Sequence, residues 1–272
     1  MRLDPEQEVR KEVAIHGAEW SSLHGGYFSD PASAAPLLEE VLRAIEVSCP
    51  GTVFDLGGGT GFLLGELAKR GFDNSLRLIN IDCSGAQLGR SRGGGITTVH
   101  RSLSDFRRGE IAPGPKPCLF MMRSVLHYFG EKGLLPILKH LRGQARKGEH
   151  FIHQTACFES RREAECLNLL YRLMGTGKWY PAASALAERL ESAGWEVRAS
   201  LPAPTLLLEW RDLMRRYGFD RAGAARIRGK ILEEFGEEEG LFEALPEGFR
   251  AYLRYRIYGC RAASPGQSPP AG

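Results

Sequence analysis

Charge imbalance, long apolar runs and paired cysteines are all scarce in this chain of 272 residues. The formal net charge is only +3 at pH 7. The basic residues are scattered, and Arg107-Arg108, Arg161-Arg162 and Arg215-Arg216 are isolated pairs rather than a phosphate track, so no nucleic-acid partner is expected. No apolar run is long enough to span a bilayer, and Met1 to Glu8 has no apolar core of the signal-peptide kind. A cytoplasmic protein without a membrane partner is the expectation. The six cysteines, Cys49, Cys83, Cys118, Cys157, Cys166 and Cys260, form no C-x-x-C pair and no His/Cys metal spacing. Reduced, mostly buried thiols and no metal site follow. The dinucleotide fingerprint G-x-G-x-x-G is also missing, because its third glycine would fall at Phe62.

What is present is the run Val53-Phe54-Asp55-Leu56-Gly57-Gly58-Gly59-Thr60-Gly61. It reads as a buried strand, an acid, then a glycine turn opening a helix, the order that places a nucleotide cofactor on an open α/β sheet. Asp55 would repel a pyrophosphate at this position. It suits a ligand that carries an ammonium and a sulfonium.

The rest of the chain alternates strand and helix. Asp30-Pro31 is a good cap and first-turn pair, and Leu37, Leu38, Val41, Leu42 and Ile45 then recur on one helical face. Strands are expected at Thr52–Leu56, Leu76–Ile81, Ile96–Val99, Cys118–Met122 and Phe151–Ala156, and later at Trp195–Leu201 and Tyr252–Cys260. Asp82 ends the second strand about twenty residues beyond the glycine loop, where such folds place the group that binds ribose hydroxyls. This rhythm predicts an α/β fold with a doubly wound, mostly parallel seven-stranded sheet. A single domain over 1–262 is expected, with an N-terminal arm at 1–30 and a core at 31–158. Helical cap insertions are expected at about 159–180 and 206–248, the second helical from Leu206 to Phe235, and a disordered Pro/Gly/Ser-rich tail at 263–272.

Phe54 to Gly61 resembles the first motif of the class I S-adenosylmethionine-dependent methyltransferase superfamily, and Leu186 to Val197 is similar to its late helix-then-strand element. The resemblance implies S-adenosylmethionine as cofactor and S-adenosylhomocysteine as product, and leaves the subfamily open. It implies that Asp55 contacts the methionine end, that Gly57, Gly58, Gly59 and Gly61 let the backbone approach, and that Asp82, beside Cys83, accepts the ribose hydroxyls. Ser102 and Leu103 match the adenine-binding position, where many members carry an acid; Asp105 competes with Ser102 for it. Arg123 and Ser124 match the segment that lies along the cofactor and faces the substrate, and Tyr27 belongs to the arm that closes over it.

His127 is the candidate catalytic base, since an imidazole titrates near neutrality; a histidine that fixes the next helix by hydrogen bonds is the more common occurrence. His153 and Gln154 either point into the cleft or belong to the core. The aromatics Trp20, Tyr27, Phe28, Tyr171, Trp179, Tyr180, Trp210 and Tyr217 either make an apolar lid for a small organic acceptor or pack the insertions. No Asn-Pro-Pro-Tyr-like sequence follows the fourth strand, which counts against amino groups of nucleic acids or protein glutamines. The expected activity is methyl transfer to O, N or C of a small molecule. A cofactor-binding protein without transfer, or a nicotinamide oxidoreductase, are the alternatives.

Overall fold

A computed structural model of the chain describes residues 23–71, 75–91 and 94–264. Trp20 and the rest of the arm before Leu23 lie outside the described residues. Asp30 opens the first helix, α1 (Pro31–Ser48): its carboxylate accepts the Ala32 and Ser33 N–H groups at 3.1 and 3.0 Å. The core then follows as β1 (Thr52–Leu56), α2 (Phe62–Ala68), β2 (Arg77–Asp82), α3 (Gly85–Leu88), β3 (Ile96–His100), α4 (Arg108–Ile111), β4 (Cys118–Arg123), α5 (Gly130–Gln144) and β5 (His150–Ala156). Then come α6 (Arg161–Leu173), α7 (Ala183–Ser192), β6 (Trp195–Glu209), α8 (Trp210–Tyr217), α9 (Arg221–Phe235), β7 (Phe242–Leu245) and β8 (Gly248–Ala262).

The sheet order is β3-β2-β1-β4-β5-β8-β6, with β7 added on β8. The first five strands are parallel, and β8 runs antiparallel to β5, β6 and β7. The chain leaves β1 toward β2 on one side and returns as β4 on the other. The crevice outside the carboxyl ends of β1 and β4 is therefore the topological switch point, where open α/β sheets bind ligands.

Strand periodicity assigns the faces. Val53, Leu78, Leu119, Met121 and Ile152 pack under Leu37 and Val41 of α1 and Leu63 and Leu67 of α2. Phe54, Ile79, Phe120 and Phe151 pack on the other face against Leu138 of α5 and Leu190 of α7. Each such fully buried side chain contributes about 1.5–3 kcal/mol. Moving along the first face toward the carboxyl edge, the side chains turn polar: Asp55, Asn80, Arg123 and Gln154 follow Val53, Leu78, Met121 and Ile152 at period two.

The sheet departs from expectation at its second half. It has eight strands rather than seven, because Phe242–Leu245 folds back on β8. The segment Leu206–Glu209 is strand, not helix: Leu206 and Leu208 are 2% and 1% exposed while Leu207 is 41% exposed, which is period two. Three successive leucines satisfy either period, so sequence alone could not separate them. The helical part of this insertion is divided at Gly218, whose φ of 69° ends α8. Strands β6 and β8 are 15 residues each and continue beyond Ala156, where β5 ends. Their outer halves carry a second apolar cluster, with Leu167 and Leu170 of α6, Leu213 of α8 and Ile227 of α9. At the tail, the Ala263 N–H donates to the Gly194 carbonyl at 3.0 Å; residues 265–272 lie outside the described residues.

Candidate functional site

The glycine loop is sewn to β2. Gly57 N–H donates to Ile81 O at 2.7 Å, Gly59 N–H donates to Asp82 Oδ2 at 2.9 Å, and Asn80 Nδ2 donates to Gly59 O at 3.0 Å. Gly57 has φ 75°, and a Cβ there would sit 2.7 Å from Val125 Cγ2. Gly58 has no room for a Cβ at all, because the Asp55 carboxyl group and Asn80 Oδ1 occupy that space.

Asp82 is half-buried and engaged through both oxygens, since Oδ1 accepts the Ser84 N–H at 2.7 Å. Burial raises its pKa, and the hydrogen bonds from Ser84 and Gly59 oppose the rise. Asp55 differs: it is 1% exposed, and neither carboxylate oxygen has a hydrogen-bond partner. Burial, together with the charge of Asp82, pushes its pKa up to about 8, against the opposing field of Arg123.

Arg123 ends β4 with 8% of its surface exposed. Its guanidinium lies 5.0 Å from the Tyr27 ring centroid and 5.4 Å from that of Phe28, and Nη2 donates to Tyr27 O at 3.2 Å. Nε and Nη1 have no partner. Burial lowers its pKa. The Tyr27 hydroxyl is committed, donating to Pro204 O at 2.5 Å and accepting from Gln154 Nε2 at 2.9 Å. Tyr27 is thus a roof over the carboxyl edge.

Ser124 follows in the left-handed region at φ 59°, with its Oγ 2.7 Å from the Tyr255 hydroxyl. His127 is buried, its ring stacked on Tyr180 at 5.2 Å and tilted against Tyr128 at 4.1 Å. Ser124, His127, Tyr171, Lys178, Arg216 and Tyr255 line a common cavity of about 20 Å³, room for roughly one water molecule. Lys178 Nζ sits over the faces of Tyr128, Tyr171 and Tyr217. A wider cavity of about 920 Å³ lies beside α2, lined by Thr60, Phe62, Lys69 and Arg90, and does not reach Asp55, Asp82 or Arg123.

The structure brings Asp55, the glycine loop, Asp82 and Arg123 to one edge. Cys83 and Ser102 flank it: Cys83 O is 2.9 Å from His100 Nε2, and Ser102 Oγ accepts the Ser104 N–H at 3.3 Å. Leu103 is buried in the core and Asp105 is exposed. His153 is on the other face, between Phe151 and Tyr258, where burial drives its pKa down to about 3. Among the aromatics, Phe28, Tyr171 and Tyr180 line the cavity, whereas Trp179 packs against the core and Trp210 within the cap cluster. Sequence reasoning missed Asn80 and Tyr255. The signal for Asn80 was a lone amide inside the apolar strand Leu78-Ile79-Asn80-Ile81; Tyr255 carried none. No helix among the described residues is long and apolar enough to cross a membrane.

A sequence-family profile described as "Methyltransferase domain" matches residues 32–200, more than half of the chain. No curated protein sequence matches. Among solved structures, the fold is similar to the YcgJ protein from Bacillus subtilis, at 12% identity and TM-score 0.61, covering 84% of this chain and 99% of that one. It is also similar to magnesium protoporphyrin IX methyltransferase from Synechocystis. With bound S-adenosylmethionine, that structure gives 13% identity and TM-score 0.54 over 96% of this chain and 98% of that one. With bound S-adenosylhomocysteine the values are 14%, 0.51, 85% and 82%. At these identities the likeness is one of fold.

Proposed function

The chain belongs to the class I S-adenosylmethionine-dependent methyltransferases, with S-adenosylmethionine as cofactor, and on that premise we propose that its acceptor is a small organic molecule bound beneath the cap. The cavity carries this reading. It is bounded on one side by Ser124 and His127, just beyond the end of β4, and on the other by Tyr171 and Lys178 from the cap. A pocket of that kind suits a compact molecule wrapped by rings, not a polymer lying in a groove. Its present volume requires the cap to give way as the acceptor enters.

The residues at the edge fit the cofactor. The unpartnered Asp55 oxygens suit an ammonium, and each Asp82 oxygen keeps a lone pair for a ribose hydroxyl beside the backbone N–H it already accepts. Gly57 to Gly61 let the backbone come close, Cys83, Ser102 and Leu103 border the adenine side, and Tyr27 covers the methionine side. When bound, the cofactor supplies a methyl group activated on a sulfonium. The chain's part is to hold the acceptor in line, exclude water and accept a proton where the nucleophile carries one. Tyr171, Tyr180 and Tyr255 exclude water. His127 supplies the imidazole that lines the acceptor side.

The test is transfer of labelled methyl from S-adenosylmethionine into a cell extract fractionated by size. Label in the small-metabolite fraction is expected. Label confined to protein or nucleic acid would overturn the acceptor assignment.

A further inference from the structure

Two buried cations converge on the acceptor cavity from different parts of the cap. Lys178 comes from the segment between α6 and α7 and is 6% exposed; Arg216 comes from α8 and is 5% exposed. Tyr217 joins them. Its ring centroid lies 5.4 Å from Lys178 Nζ and 5.3 Å from the Arg216 guanidinium carbon, and its hydroxyl accepts from Lys178 Nζ at 2.9 Å. The Lys178 segment is also pinned to the sheet side, since the Trp179 N–H donates to His127 O at 3.1 Å. Both charges are therefore fixed in the cavity wall, away from bulk water, where their fields are screened less and reinforce one another.

The rest of the wall is neutral in character. Among the described residues its other polar members are histidines, a serine and tyrosines, with no aspartate or glutamate. The tyrosines do not act as phenolates, because burial raises the pKa of Tyr171, Tyr180 and Tyr255 and keeps them neutral. They give ring surface and hydroxyl dipoles instead. A guanidinium fork and an ammonium side by side both form charge-assisted hydrogen bonds to carboxylate or phosphate oxygens. The complement of this cavity is a compact molecule with an anionic group at one end.

We infer that the methyl acceptor is an anion, a carboxylate or phosphate whose charged group binds Lys178 and Arg216, leaving the atom to be methylated toward Ser124 and His127. The inference rests on the small-molecule reading above and adds the acceptor's charge and its orientation. Transfer breaks the sulfur–methyl bond, the electron pair going to sulfur, and joins the methyl to an acceptor atom other than the anchored group. A proton on that atom passes to solvent. The product therefore keeps the anionic group.

The labelled-methyl assay tests it with one added step: the small-metabolite product is passed over an anion-exchange column at pH 7, which does not retain unreacted, cationic S-adenosylmethionine. Label held by the column and released by salt is expected. Retention lost on phosphatase treatment identifies a phosphate, and retention that survives it a carboxylate. Small-metabolite label that flows straight through would overturn the anion assignment while leaving the small-molecule reading intact. Label confined to protein or nucleic acid would remove that reading, and this inference with it. Lys178→Met and Arg216→Met should each raise the apparent KM for the anionic fraction of the extract about 10- to 100-fold, with affinity for S-adenosylhomocysteine unchanged. Lys178→Arg should recover most of the loss. A fall in kcat and in cofactor affinity at constant acceptor KM would mark the two cations as merely structural and overturn the proposal. If neither variant folds, the column result on the wild-type protein still decides.

Discussion

Ser124 Oγ and the Tyr255 hydroxyl lie 2.7 Å apart across 131 residues of sequence, tying the end of β4 to the antiparallel strand β8. The bond holds Ser124 at a φ of 59°, a conformation an L-residue adopts only when its surroundings impose it. Burial raises the Tyr255 pKa, so the phenol stays neutral and serves as a hydrogen-bonding group. Tyr255→Phe is expected to lower unfolding free energy by about 1 kcal/mol. Affinity for S-adenosylhomocysteine should not change, because the proposed function puts Tyr255 on the acceptor side. Denaturant melts and a titration check both, and a tenfold loss of cofactor affinity would contradict that placement.

Asp82→Ala removes the acceptor for the Gly59 and Ser84 N–H groups together with the proposed ribose contact. Cofactor binding should weaken by about 1.5–3 kcal/mol for each charge-assisted bond lost, as an upper range. Calorimetry on a folded variant with unchanged affinity would count heavily against the ribose role.

Gly58→Ala tests the close approach around the loop. The added Cβ meets the Asp55 carboxyl group and Asn80 Oδ1, both fixed on strands. Loss of S-adenosylhomocysteine binding is expected, as it is for Gly57→Val, which also forces a β-branched residue to φ 75°. Full affinity in either variant would place the loop away from the ligand.

Asp55 should make the ligand-free protein pH-sensitive. Its folded pKa of about 8 lies above the ordinary carboxylate value near 3.9, so between those limits the folded state binds more protons than the unfolded one. Stability is therefore highest below about pH 4 for this group, falls as pH rises toward about 8, and is level above that. The groups acting on it are Asp82, which adds to the shift, and Arg123, which opposes it. Asp55→Asn should flatten this slope and exceed the wild type in unfolding free energy at pH 8.5 by an amount on the order of a few kcal/mol. Parallel melting profiles from pH 5 to 9 for the two proteins would refute the buried-acid account.

Much of the core was legible because its signals are local. Asp30-Pro31 announces α1 through capping atoms within three residues, and the run from Val53 to Gly61 needs no distant partner to read as strand, turn and helix. The cap was less legible. Leu206-Leu207-Leu208 suits either period, and the antiparallel strand beside it decided the outcome. The strand Phe242–Leu245 exists only through its pairing with β8. Asn80 was passed over because a single polar residue in an apolar strand has no meaning until its neighbour across the sheet is known to be Asp55.

What the amino-acid order determined by itself is the alternation of elements, the glycine turn and the acids at two strand ends, since caps, turns and periodicity act over a few residues. Tertiary structure alone decided which side chains share a layer and which of them keep unused hydrogen bonds. Strand register sets the first, and burial by α1, α2 and the Tyr27 roof sets the second. Both come from partners tens of residues away, and through them Asp55, Asn80 and Arg123 come to share one buried layer.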